Sequence, residues 1–175
     1  MTPVPRVLRP ATAADLDGVV SVFLGCWHDS YPAVLPPALV AAMTPERATA
    51  LWRAALAAAA PGEVRVASAA GSGEILGVTR FSLAEDGGTG LVNSLYVGPR
   101  AQGRGVGAGL LDAATAALRA AGAAEAHLWA FRANEPARAF YRSQGWREDG
   151  TTHVQGEFGE PELRLTHALN AGARS

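Results

Sequence analysis

The stretch from Leu95 to Leu111, LYVGPRAQGRGVGAGLL, constrains the fold more than any other part of the chain. It reads as a strand, a turn and the start of a helix. Leu95, Tyr96 and Val97 favour extended backbone. Pro99 has no N–H for a ladder, so a central strand cannot run through it. Gln102-Gly103-Arg104-Gly105-Val106-Gly107 follows. From Val106 the apolar spacing is helical: Val106, Leu110, Ala114, Ala117, Leu118 and Ala121 share one face. Gly122 is placed to cap that helix at its C-terminus.

Glycines at a helix mouth lose backbone entropy on ordering, so an alternating set of them asks for a reason. The first-turn N–H groups of a helix have no internal partners, and the helix dipole there favours negative charge. With no side chains in the way, a phosphate or pyrophosphate can rest directly on those groups. A tight turn with close helix–sheet packing accounts for the same glycines, and spacing alone leaves the two readings level.

Known phosphate loops narrow the choice. A Walker A loop needs a Gly-Lys-Ser/Thr ending, which is absent. The dinucleotide fingerprint is matched formally by Gly103, Gly105 and Ala108. Its first glycine should follow the strand at once, yet Pro99 to Gln102 intervene. The acidic residue expected about 20 positions on would be Glu125, at the start of the next strand rather than its end. Too little chain remains for a full Rossmann sheet.

The pattern V-x-P-x-x-Q-G-x-G-x-G, from Val97 to Gly107, resembles the acetyl-CoA motif of the GNAT superfamily of N-acetyltransferases. That family's core, Arg/Gln-x-x-Gly-x-Gly/Ala, is met by Gln102, Gly105 and Gly107. The resemblance extends downstream to Asn134 and the FYRSQGW segment, and is strongest between Leu95 and Trp146.

The rest of the chain is compatible with such a domain. Its 175 residues suit one domain with a substantial core, placed at residues 1–170 with a disordered tail at 171–175. A net charge of −1 does not argue for nucleic acid, although it leaves room for a local basic patch, and no run is apolar enough to span a membrane. A single cysteine, Cys26, allows no internal disulfide and fits a reducing cytoplasm. The four histidines are scattered, so no metal site is expected.

Taken in order, Val4 to Leu8 reads as a strand. Thr12, with Asp15, opens a helix whose apolar face is Leu16, Val19, Val20, Phe23 and Trp27. Prolines 32, 36 and 37 break the pattern, and Thr44 caps a second helix before Pro45. Strands follow at 64–69, 75–83 and 91–97, then the glycine turn and its helix. Ala126 to Phe131 is another strand, Asn134 caps another helix, and 146–154 with 162–169 form a closing hairpin. Strand, helix, strand around the glycine turn makes a right-handed parallel crossover, whereas the hairpins are antiparallel. The predicted class is α/β: a mixed, mostly antiparallel central sheet with helices on both faces. The resemblance implies the same GNAT-like, acyl-CoA N-acyltransferase fold.

The resemblance also assigns roles. It implies that acetyl-CoA is the co-substrate, with its pyrophosphate on Gln102, Gly103, Arg104, Gly105, Val106, Gly107 and Ala108. The arm of the cofactor would lie along the backbone of Leu95, Tyr96 and Val97, where an N–H can bond the thioester oxygen. Asn134 would help hold the pantetheine. Tyr141, seven residues on and on the same helix face, would protonate the departing thiolate. From spacing alone, Asn134 is more often just a cap and Tyr141 more often a core residue. Trp27, Tyr31 and Trp129, with Trp52, fall where the family builds its acceptor pocket. Places where relatives carry an acidic base hold Leu91 and Trp129; candidates elsewhere include His28 and Asp29 near the end of the first helix, which read equally as a surface cap. Deprotonation through water or bulk solvent is therefore the expectation. The acceptor is a primary amine on a small molecule, protein or peptide, with a homodimer left open. The alternatives are a non-catalytic acyl-CoA binding or sensing module on the same fold, and a nucleotide-binding oxidoreductase.

Overall fold

Capping side chains, prolines and glycines set most of the element boundaries in this computed structural model, which describes residues 5–169. Val4, the expected start of the first strand, lies outside the described residues, as do Asn170 and the expected tail 171–175. The order is β1 (Arg6–Pro10), α1 (Leu16–Asp29), α2 (Pro37–Ala42), α3 (Pro45–Ala58), β2 (Val64–Ala69), β3 (Ile75–Leu83) and β4 (Thr89–Val97). Then come α4 (Val106–Ala120), β5 (Glu125–Phe131), α5 (Glu135–Ser143), β6 (Arg147–Val154) and β7 (Pro161–Ala168). The seven strands form one sheet in the order β1-β2-β3-β4-β5-β7-β6. β4 and β5 pair in parallel, while β1–β2, β2–β3, β5–β7 and β6–β7 are antiparallel. The mixed sheet is the predicted one.

The start of α1 is fixed by a bonded carboxylate. Asp15, only 8% exposed, takes two bonds of 2.8 Å from the Arg9 guanidinium and one of 2.8 Å from the Thr12 N–H. Arg9 above all, then the Thr12 bonds, hold its carboxyl below the usual aspartate value against the opposing effect of burial. Thr44 caps α3 as expected, its hydroxyl accepting from the Arg47 N–H at 3.2 Å. The segment between them is not a plain break: Pro37 starts the six-residue α2, where its missing N–H costs nothing.

The contacts divide the chain into two compact units, one holding residues up to Arg80 with Ser94–Ala114, the other Phe81–Asn93 with residues from Thr115 onward. In the first unit, helices cover both faces of the sheet. A Cβ at Gly77 would come within 2.8 Å of Leu110 and 3.1 Å of Val106, so the start of α4 lies directly on β3. Leu95 and Val97 pack with Val106 and Leu110 on that side. Tyr96, pointing the opposite way, meets Phe23 of α1 and Trp52 of α3. The buried face of α4 is wider than its apolar spacing suggests. Leu111 and Thr115 are buried as well, while Ala121 is exposed.

In the second unit, Leu118 presses on Gly90, where a Cβ would approach it to 2.7 Å. Ala126, Leu128 and Ala130 of β5 are buried on this side. α5 packs on it too, through Tyr141, Trp146 and the His167 ring stacked on Trp146 at 5.3 Å. The opposite face carries His127, Trp129 and Phe131, with their cross-strand partners Thr166, Arg164 and Glu162 on β7.

Candidate active site

The glycine turn is built as an anion cradle. After Val97 the chain makes a 3-10 turn at Pro99–Ala101, passes Gln102 and enters α4 at Val106. Gly103 and Gly105 stand at φ +72° and +79°, a region that disfavours any residue with a Cβ. The Gly109 N–H makes the intrahelical bond back to Gly105 at 3.1 Å, so the N–H groups of Val106, Gly107 and Ala108 precede the helical ladder. Val106 is 1% exposed and anchors the helix in the core, whereas Gln102 to Gly105 are exposed. This arrangement suits a phosphate group: donors that precede the helical ladder, a helix dipole and, beside Gly105, the Arg6 guanidinium 3.6 Å from where a Cβ would stand.

Three side chains brace the cradle. The Gln102 amide donates to the Val97 carbonyl at 3.0 Å, and the Cys26 thiol donates to the same oxygen at 3.1 Å. The Arg6 guanidinium donates to the Gly105 carbonyl at 2.9 Å. Arg6 has no local signal in the sequence, because its partner is 99 residues away. Burial pushes the Cys26 thiol up to about 11, which leaves it protonated and a poor nucleophile at neutral pH.

The aromatic residues expected to wall a pocket pack largely against one another. Trp27 is 2% exposed and lies 5.8 Å from Phe23 and 4.9 Å from Tyr31, both centroid to centroid. A pocket of about 380 Å³ lies next to them in sequence, lined by His28, Pro32, Pro37, Val40, Met43 and Thr44, and neither Trp27 nor Tyr31 lines it. His28 and Asp29 are exposed at the end of α1.

The second unit holds the other expected residues. Asn134 is the N-cap of α5, its side-chain oxygen accepting from the Ala137 N–H at 3.3 Å. Tyr141 lies two turns along, 9% exposed, against Phe140 and Trp146. α5 is tied to β6 by Arg138 and Arg142, which reach Glu148 at 2.8 and 3.1 Å. Trp129, half-buried on β5, stacks on His153 of β6 with ring centroids 3.8 Å apart. His153 in turn bonds Glu162 of β7 at 2.7 Å. Neither was singled out by sequence, since their proximity depends on the register of the closing hairpin. Among the described residues, no group of three or more His, Cys, Asp or Glu could hold a metal, and no helix is long and apolar enough to cross a membrane.

The profile of the acetyltransferase (GNAT) family matches residues 26–146, which include the whole turn, β5, Asn134 and Tyr141. The chain belongs to the GNAT acetyltransferase family. Solved GNAT structures agree on the fold. The chain is similar to nourseothricin acetyltransferase at 26% identity and a TM-score of 0.56, covering 61% of this chain and 64% of that one. It is similar over 93% of its length to PaiA N-acetyltransferase of Thermoplasma acidophilum in complex with coenzyme A, at 16% identity, 98% coverage of that chain and a TM-score of 0.71. Ribosomal-protein-alanine N-acetyltransferase of Brucella melitensis is 22% identical over 93% of this chain and 99% of its own, with a TM-score of 0.68.

Proposed function

We propose that this GNAT member transfers the acetyl group of acetyl-CoA to a primary amine. The observation that carries the reading is the turn before α4, with Gly103 and Gly105 at positive φ and the N–H groups of Val106, Gly107 and Ala108 ahead of the helical ladder. That cradle matches a pyrophosphate in charge and donor pattern. When bound, acetyl-CoA supplies an activated acetyl group on a thioester.

Each residue then has a defined task. Residues 102–108 hold the pyrophosphate, with Gln102 and Arg104 at its rim. The backbone of Leu95, Tyr96 and Val97 aligns the arm, and one N–H there polarises the thioester oxygen. Asn134 uses its oxygen on Ala137, which leaves its amide N–H groups to donate to the pantetheine. Tyr141 returns a proton to the leaving sulfur, a balanced transfer because a phenol and an alkyl thiol have similar acidities. Trp27 is packed away in the core, so the apolar walls proposed for the acceptor reduce to the half-buried Tyr31 and Trp129.

Thiol release from acetyl-CoA tests this directly, with nourseothricin, an alanyl peptide and benzylamine offered as amines. Release that requires an amine is the expected result. Tight binding of acetyl-CoA without release for any amine would favour an acyl-CoA sensing module instead.

A further inference from the structure

We infer that Arg6 is a positioning residue for the coenzyme. It locks the peptide between Gly105 and Val106 so that the Val106 N–H faces the pyrophosphate, and Gly109 is the notch that admits its guanidinium. This role rests on the acetyltransferase reading above, and every residue in it belongs to the first compact unit.

The Gly105 carbonyl accepts two bonds. One comes from the Gly109 N–H at 3.1 Å, within α4. The other comes from Arg6 Nη2 at 2.9 Å. A carbonyl oxygen has two lone pairs, so both are used. The peptide unit is planar and trans, and fixing its oxygen also fixes the N–H on its opposite edge, which is that of Val106. The helix directs that N–H out of its N-terminus, toward an anion at the turn.

An anchor matters at this peptide because glycine stands at 103, 105 and 107, and glycine loses the most backbone freedom on ordering. A turn already held by Arg6 loses less of it when a ligand arrives. Charge acts in the same direction. A guanidinium on the oxygen polarises the peptide and strengthens its N–H as a donor.

Gly109 has no backbone reason to be glycine. It lies inside α4, its φ is not positive, and glycine weakens a helix relative to alanine. Its missing side chain leaves room for Arg6. A Cβ at Gly109 would stand 3.1 Å from Arg6 Nη2, 3.4 Å from Arg6 Nε and 3.5 Å from Leu8 Cδ1. A Cβ at Gly105 would stand 3.6 Å from the same Nη2. The guanidinium therefore lies across the first turn of α4, beside both glycines. β1 brings it there: Arg6 pairs with Ala69 of β2, and Leu8, two residues on and on the same strand face, rests against the same notch.

The test is acetyl-CoA affinity by calorimetry in wild type, Arg6→Ala, Gly109→Leu and the double variant. Thiol release from S-acetylpantetheine, a thioester without the pyrophosphate, is the second readout. Leucine is a good helix former and fills the notch beside Leu8. Gly109→Leu should therefore melt no lower than wild type while binding acetyl-CoA several-fold more weakly. The double variant should bind no more weakly than the weaker single one, because both changes remove the same bond. The kcat/KM for S-acetylpantetheine should be the same in all four proteins, which a general loosening of the fold would not allow. Unaltered affinity in Gly109→Leu, losses that add in the double variant, or equal losses on S-acetylpantetheine would each overturn the positioning role and leave the acetyltransferase standing. No binding of acetyl-CoA to wild type would overturn both.

Discussion

The Arg6 guanidinium donates to the carbonyl of Gly105 at 2.9 Å, joining the first strand to the tip of the glycine turn. The bond ties down Gly105, whose φ of +79° glycine adopts freely and other residues do not, and it brings a positive charge to a turn that suits an anion. Arg6→Ala should weaken acetyl-CoA several-fold by calorimetry, as expected for one partly exposed charge-assisted bond, while leaving turnover at saturation unchanged. Unaltered affinity would make Arg6 a packing residue only.

Tyr141 tests the acid role. Tyr141→Phe keeps the ring against Phe140 and Trp146 and removes only the hydroxyl. Turnover should fall on the order of 10²-fold with little change in the Michaelis constant for acetyl-CoA, provided chemistry limits the rate. An undiminished rate would return Tyr141 to the core.

Asp15 makes a prediction about stability alone. Its bonds to Arg9 and Thr12 lower the carboxyl pKa in the folded state, so the unfolded chain binds the proton more readily. The stabilisation is therefore present above the ordinary aspartate value of 3.8 and is lost as pH falls through the lower folded value. Asp15→Asn should cost about 1.5–3 kcal/mol at neutral pH in a denaturant titration, the scale of hydrogen bonds to a charged group. The difference should shrink below pH 3.8. A constant difference across that range would mean the charge contributes nothing.

Local chemistry was legible in the sequence, and long-range pairing was not. The turn from Gly103 to Gly107, the Thr44 and Asn134 caps and the closing hairpin all follow from residues close together in the chain. α2 escaped because prolines at 36 and 37 read as breakers, although Pro37 serves as a helix start. The first strand runs on to Pro10, beyond the expected Leu8, because its pairing with β2 continues to Arg65. Thr115 is buried on α4 although a hydroxyl does not mark a core face. The contacts of Arg6 with Gly105 and of His153 with Trp129 depend on the completed fold, so no window of sequence contains them.

The central claim is that the bare turn at the head of α4 receives the pyrophosphate of acetyl-CoA. Gly105→Glu tests it most directly, since the residue is exposed and its new side chain would bring bulk and negative charge to the cradle. The variant's strained φ of +79° will lower its own melting temperature, so the quantity that matters is the shift on adding acetyl-CoA. A clear upward shift in wild type and none in Gly105→Glu is the predicted result. Equal shifts in the two proteins would contradict the account.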